Sequence, residues 1–117
     1  MNVMKRGDIV LVDYPYSDAT GRKIRPALVV QSDDKNKLLD DTIIALVTSQ
    51  LRRRLDTHVA IDISTGEGKR SGLRLPSAVQ CENLYTIDKQ LVLRSIGGLS
   101  SGMMQQVDGC LRRALGL

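Results

Sequence analysis

Thr42-Ile43-Ile44-Ala45-Leu46-Val47-Thr48 (TIIALVT) is the stretch whose reading decides the fold. It is rich in β-branched and aliphatic residues. Its unbroken apolar character predicts a strand buried on both faces. Upstream, Asp8 to Asp13 (DIVLVD) alternates with period two and reads as another strand, bounded by Gly7 and by Tyr14-Pro15. Tyr16 to Ile24 is a polar loop, and Pro26 opens a second strand over Ala27 to Gln31 (ALVVQ), at a position where no ladder donor is needed. Ser32 to Asp41 is charged and reads as loop. Downstream, Leu51 to Asp56 is a basic loop, and Thr57 to Ile63 (THVAIDI) alternates again. Ser64 to Gly72 holds three glycines and reads as a turn. Leu73 to Glu82 is strand-like, with Pro76 confining that end to an edge or a bulge, and Leu91 to Ile96 is a last short strand. The period then changes. Met104, Val107, Leu111 and Leu115 recur at helical spacing, with Ser100 as N-cap and Leu99 and Met104 placed as a hydrophobic staple. The prediction is a mainly-β or α+β domain: short strands in a small curled sheet or barrel, closed by one C-terminal helix.

With 117 residues the chain suits one domain, spanning 1–117. It has three Tyr, no Trp and no Phe, so one chain cannot build a platform of stacked aromatics for single-stranded nucleic acid. Lys and Arg number 17 against 13 Asp and Glu, a net charge of +4 that suits a nucleic-acid or acidic-protein partner. Cys81 and Cys110 form no CxxC pattern and the chain has one His, which argues against zinc. The cysteines read as reduced residues packed like small hydrophobes, which implies a cytoplasmic home. Met1 to Arg6 lacks the apolar segment of a signal peptide, and the longest apolar run, Ile43 to Val47, is too short for a membrane.

Elimination narrows the chemistry. Nucleophilic hydrolysis with a Ser or Cys needs a His beside it, and His58 sits within an alternating strand, where a satisfied structural role is expected. No P-loop or GxGxxG occurs, and Gly66, Gly68 and Gly72 read as turn residues rather than a phosphate cradle. The pairs Asp33-Asp34 and Asp40-Asp41 read as a solvated face, so neither metal nor cofactor is expected. Polar residues at strand ends remain: Arg25 before Pro26, then Thr48, Ser49 and Gln50, then Glu82 and Asn83. Converging on one rim, these groups suit a phosphodiester. A guanidinium grips two phosphate oxygens and offsets growing charge, while hydroxyl and amide groups orient the rest. RNA carries its own nucleophile, the 2'-hydroxyl, so the protein need only align the strand and stabilise the transition state. The run Arg52-Arg53-Arg54 directly follows and reads either as a solvated loop or as phosphate contact.

Several segments carry a family resemblance. Lys5-Arg6-Gly7-Asp8-Ile9-Val10 (KRGDIV), Arg25 to Val30 (RPALVV), Leu46 to Gln50 (LVTSQ), Thr57-His58-Val59 and Cys81 to Asp88 (CENLYTID) resemble, in order and spacing, landmarks of the MazF/PemK family of endoribonuclease toxins. Met103 to Asp108 also fits the C-terminal helix of that family. The resemblance implies an SH3-like small β-barrel with a C-terminal helix, the PemK/CcdB-like toxin fold, working as a homodimer. It implies metal-independent, sequence-selective cleavage of single-stranded RNA, with no cofactor, and a cognate antitoxin that blocks the site with an acidic, largely disordered segment. It places the catalytic Arg on Arg25 and the catalytic Thr on Thr48. RNA contacts fall on Ser49, Gln50, Glu82 and Asn83 and on the loop holding Tyr16, Ser17 and Lys23; Arg52 and Arg53 are candidate phosphate contacts on the strength of their charge run alone, not of the resemblance. One departure matters: the PemK branch carries an Arg two positions before its acidic residue, and here Gln80 stands there. Arg25 is then expected to stabilise charge, Thr48 to position the phosphate, and Glu82 to take the 2'-hydroxyl proton. Two alternatives stay open: a gyrase-poisoning toxin of the same fold, whose Trp-Gly-Ile-like tail is replaced here by Leu115-Gly116-Leu117, and an inactive homologue that only binds RNA or antitoxin.

Overall fold

The computed structural model describes residues 4–15 and 22–117. Six strands form one antiparallel sheet in the order β4-β5-β3-β2-β1-β6. They are β1 (Asp8–Pro15), β2 (Arg22–Val29), β3 (Asp41–Thr48), β4 (His58–Ile61), β5 (Ser77–Asp88) and β6 (Val92–Gly98). Among the described residues, α1 (Asp33–Leu38) joins β2 to β3, α2 (Gly66–Ser71) joins β4 to β5, a 3-10 turn (Lys89–Leu91) joins β5 to β6, and the long α3 (Ser101–Leu115) follows β6. Among the described residues no ladder joins β4 to β6, so the small barrel is open at that seam. Among the described residues, no helix is long and apolar enough to cross a membrane.

The central strand is as expected. β3 lies between β2 and β5 and is buried from Ile44 to Val47. Its alternating side chains feed two cores. Ala45 and Val47 join Ile9, Leu28, Val79 and Cys81 beneath Val107 and Cys110 of α3. Ile44 and Leu46 join Val10, Val12, Ala27, Val29 and Ile87 on the opposite face. The DIVLVD segment shares this logic, with both alternating sets apolar. α3 starts as predicted: Ser100 Oγ accepts the Met103 N–H at 3.2 Å, and Leu99 and Met104 are buried in one cluster.

Arg6 of the KRGDIV opening has a structural explanation. Its Nε donates to the Val30 carbonyl at 2.9 Å, its guanidinium pairs with Asp108 of α3 at 2.7 Å, and its N–H donates to Asp33 at 2.7 Å.

Four expectations need correction. Ser32 to Asp41 is not simply loop: α1 forms there, because Ser32 Oγ accepts the Lys35 N–H and Asp33 and Asp34 oppose the helix dipole in its first turn. Ser64 to Gly72 is not a free turn. Thr65 Oγ1 caps Gly68 N–H at 3.0 Å, α2 follows, and Gly72 ends it in the left-handed region (φ +76). Pro26 does not open β2 but lies inside it, opposite Leu11, one residue before the ladder with β3 begins at Ala27. Finally, β5 does not end at Glu82. It runs on to Asp88, past an irregularity that leaves Cys81, Glu82 and Asn83 out of register with β3 between the Gln80 and Leu84 pairs.

Candidate active site

The strand register brings Arg25 and Thr48 together. Ala27 pairs with Leu46, and continuing that register two residues sets Arg25 of β2 opposite Thr48 of β3. Both side chains are half-buried. They line one open cleft of about 330 Å³ with Lys23, Ser49 and Gln50, so five of the expected residues converge. Leu73, Arg74, Leu75 and Ser77 form its opposite wall. Arg74 is a residue that the sequence reading missed. It was hidden behind the glycine-rich segment, and its one signal is a basic residue two positions before Pro76, just upstream of β5.

Thr48 is held in one orientation. Its Oγ1 accepts the Gln50 N–H at 3.0 Å, a side-chain turn that closes the end of β3. With that lone pair engaged, the hydroxyl proton is left to donate. The cleft therefore holds a guanidinium from Arg25, another from Arg74, the Lys23 ammonium and the neutral polar side chains of Thr48, Ser49, Gln50 and Ser77, with no carboxylate or imidazole among the described residues that line it. It is built to receive an anion.

The other described residues among those expected lie elsewhere. Tyr16 and Ser17 lie outside the described residues. Arg53 lines a different cleft beside β4 with Arg54 and His58, and Arg52 lines neither. Glu82 and Asn83 do not line the Arg25 cleft. Thr48 pairs with Ala78, so Glu82 stands four residues further along β5, at about 3.3 Å per residue. The expectation that Glu82 shares a rim with Arg25 is thus corrected, because β5 is longer than its apolar pattern suggests. Asn83 instead donates to Gln80 Oε1 at 3.1 Å, across the irregular turn of the strand.

Glu82 belongs to a second polar cluster. Thr57 Oγ1 donates to its Oε1 at 2.6 Å, and His58 Nε2 lies 2.9 Å from its Oε2. Leu55 N–H donates to His58 Nδ1 at 3.4 Å, which leaves the imidazole proton on Nε2, facing the carboxylate. Partial burial pushes the Glu82 carboxyl up, but the hydrogen bonds from Thr57 and His58 outweigh it and hold the group below its ordinary value. A carboxylate so stabilised is a weaker proton acceptor.

A depressed folded pKa contributes stability that is present above the ordinary value of 4.5 and is lost as pH falls through the folded value. A carboxyl-carbon NMR titration is expected to place Glu82 below 4.5 and to move it upward in Thr57→Val. A wild-type midpoint at or above 4.5 would contradict the hydrogen-bonded carboxylate.

Three comparisons bear on this site. Residues 5–115 match a family described as PemK-like, MazF-like toxin of type II toxin-antitoxin system. The chain is 36% identical over 117 residues to the endoribonuclease EndoA of Bacillus subtilis (strain 168), covering 98% of this chain and 97% of that one. Among solved structures, an endoribonuclease from Mycobacterial species superposes with a TM-score of 0.77 at 25% identity, covering 100% of this chain and 95% of that one. An endoribonuclease in complex with its cognate antitoxin, also from Mycobacterial species, shares the fold at a TM-score of 0.79 and 24% identity, covering 97% of this chain and 96% of that one.

Proposed function

This chain belongs to the PemK-like, MazF-like toxin family, and on that premise we propose that it cuts single-stranded RNA sequence-selectively, without a metal, in the cleft between Arg25 and Thr48. The observation that carries this reading is the convergence of Arg25, Thr48, Ser49, Gln50 and Lys23 on one cationic cleft. In the reaction the 2'-oxygen bonds to the adjacent phosphorus and the bond to the 5'-oxygen breaks. The products are a 2',3'-cyclic phosphate and a free 5'-hydroxyl. Negative charge builds on the equatorial oxygens as the phosphorus becomes five-coordinate. The Arg25 fork neutralises that charge, and the Thr48 hydroxyl, fixed by Gln50 N–H, donates to one of the same oxygens. A guanidinium with a pKa above about 12 is a poor proton carrier, so Arg25 acts by charge.

The proton path differs from the expected one. Glu82 is outside the cleft, and its two oxygens are already engaged by Thr57 and His58. The 2'-hydroxyl proton passes to water, a water protonates the departing 5'-oxygen, and Glu82 and Asn83 serve as substrate contacts beyond the cleft. Ser49, Gln50 and Lys23 orient the scissile nucleotide, the loop with Tyr16 and Ser17 contacts its neighbours, and Arg52 and Arg53 add peripheral phosphate contacts. The protein acts in the cytoplasm as a homodimer of 1–117 domains. A cognate antitoxin inhibits it by laying an acidic, largely disordered segment over the cationic cleft. The net charge of +4 supports that pairing.

The test is incubation with a long single-stranded RNA in excess EDTA, followed by mapping of the ends. Discrete cuts that leave cyclic phosphates are expected. Intact RNA, or cuts that require added Mg²⁺, would overturn the proposal. In the same assay Glu82→Gln is expected to keep the shape of the pH–rate profile. Loss of a limb of that profile would return the proton-acceptor role to Glu82.

A further inference from the structure

Arg74 stands at the junction of two clefts. One is the Arg25–Thr48 cleft. The other, about 580 Å³, is lined by Leu11, Pro26, Gly72, Leu73, Arg74, Arg94, Ser95 and Ile96. Pro26, Leu73 and Arg74 belong to both, so the two clefts are continuous around the Gly72–Arg74 segment. The register explains the continuity. Leu11 of β1 pairs with Pro26 on one side and with Arg94 of β6 on the other, so Arg94, Leu11 and Pro26 make one row across the sheet, next to the row that holds Val12 and Arg25.

Tight backbone packing holds the dividing segment in place. A Cβ on Gly72 would lie 2.0 Å from the Ile96 carbonyl oxygen, and one on Gly97 would lie 2.3 Å from the Arg70 carbonyl oxygen. The C-terminus of α2 therefore rests directly on β6. That contact sets Arg74 over the seam between the clefts. Arg74 and Arg94 are exposed, and among the described residues neither has a carboxylate partner. Two unpaired guanidinium forks across a cleft large enough for a nucleotide suit a second phosphodiester.

We infer that the Arg74–Arg94 cleft is a phosphate subsite, which holds the RNA backbone one nucleotide away from the scissile bond. This rests on the proposed cleavage in the adjoining cleft. One end of the RNA enters or leaves the reaction centre over β1 and β6, past Arg74, on the side away from the Arg52–Arg54 run. Arg74 serves both clefts, and Arg94 serves the flanking phosphate alone.

The experiment uses RNA oligonucleotides blocked by a 2'-deoxy sugar at the cleavage point and lengthened one nucleotide at a time on the 5' or the 3' side. Wild-type protein is expected to gain affinity when one of the two sides first reaches the second cleft. Arg94→Ala is expected to lose that gain, about tenfold in Kd, and to lower the salt slope by about 0.7 for the long oligonucleotide. Arg94→Lys is expected to keep the slope while losing part of the affinity, because it retains charge without the fork. If wild-type RNA is cut and Arg25→Ala abolishes cutting, yet Arg94→Ala shows the wild-type dependence on length and salt, the subsite alone is wrong. If the wild type does not cut RNA in EDTA, or Arg25→Ala cuts equally well, the parent reading fails and takes the subsite with it.

Discussion

Arg25→Ala is expected to lower the cleavage rate at saturating RNA by at least a hundred- to thousandfold, the scale for removing one preorganised charge-stabilising donor from a transition state. The scissile phosphate carries one negative charge in the ground state and more as the phosphorus becomes five-coordinate. A cation facing it therefore gains more in the transition state than in the bound substrate, so the loss falls mainly on kcat. The fold should survive the change. Arg25 is half-buried beside an open cleft, and the β1–β2 ladder through Val12 and Arg25 is made by backbone, not by side chains. Arg25→Lys separates charge from geometry. The ammonium keeps the positive charge but cannot present two parallel donors to two oxygens, so an intermediate rate is expected. Single-turnover rates on one oligonucleotide, beside denaturant midpoints for each variant, decide the matter. A rate within threefold of wild type would remove Arg25 from the chemistry. A rate loss matched by collapse of the denaturant midpoint would reassign it to stability.

The sequence was most legible where one physical signal dominated. The TIIALVT run predicted a strand buried on both faces, and β3 is that strand. The change of period after Ser100 predicted α3 together with its cap and staple. Legibility failed where tertiary contacts overrode local propensity. Gly66 and Gly68 disfavour a helix in isolation, yet α2 forms because Thr65 caps it and its end packs against β6. The same limit governs the site. Arg25 and Thr48 were visible as polar residues beside strong strands. Arg74 was not, because its position depends on how closely the chain can approach Ile96, a property of the fold rather than of any short motif. Glu82 was legible as a motif residue but not in its setting. The irregular Gln80–Leu84 segment keeps the strand going beyond it, and Thr57 and His58 then claim its oxygens.

That close approach makes Gly72→Ala the substitution with the largest expected effect on stability. Two costs add. At φ +76 a residue with a Cβ is strained by roughly 1–2 kcal/mol. The new methyl would also meet the Ile96 carbonyl oxygen at 2.0 Å and its carbon at 2.7 Å. Both are backbone atoms of β6 at a bulge whose neighbours Ser95 and Gly97 are paired with β1, so neither moves as a side chain can, and forced overpacking of this kind costs about 1–3 kcal/mol. Together they remove roughly 2–5 kcal/mol from a domain whose total stability is on the order of 5–15 kcal/mol. Gly66→Ala is the matched control, because nothing lies within 4 Å of its Cβ position and its φ is ordinary. It is expected to be neutral or slightly stabilising, since alanine favours the helix and restricts the unfolded chain. Urea midpoints for the two variants give the comparison directly, with unchanged slopes showing that the unfolded states are alike. Equal midpoints would mean that α2 does not rest on β6 as described. If Gly72→Ala stays folded at low temperature, the strain can be relieved only by lifting the Gly72–Arg74 segment from the sheet. Arg74 then leaves the seam between the clefts, so affinity for long RNA should fall in Gly72→Ala and hold in Gly66→Ala, which ties the stability of this contact to the path of the substrate.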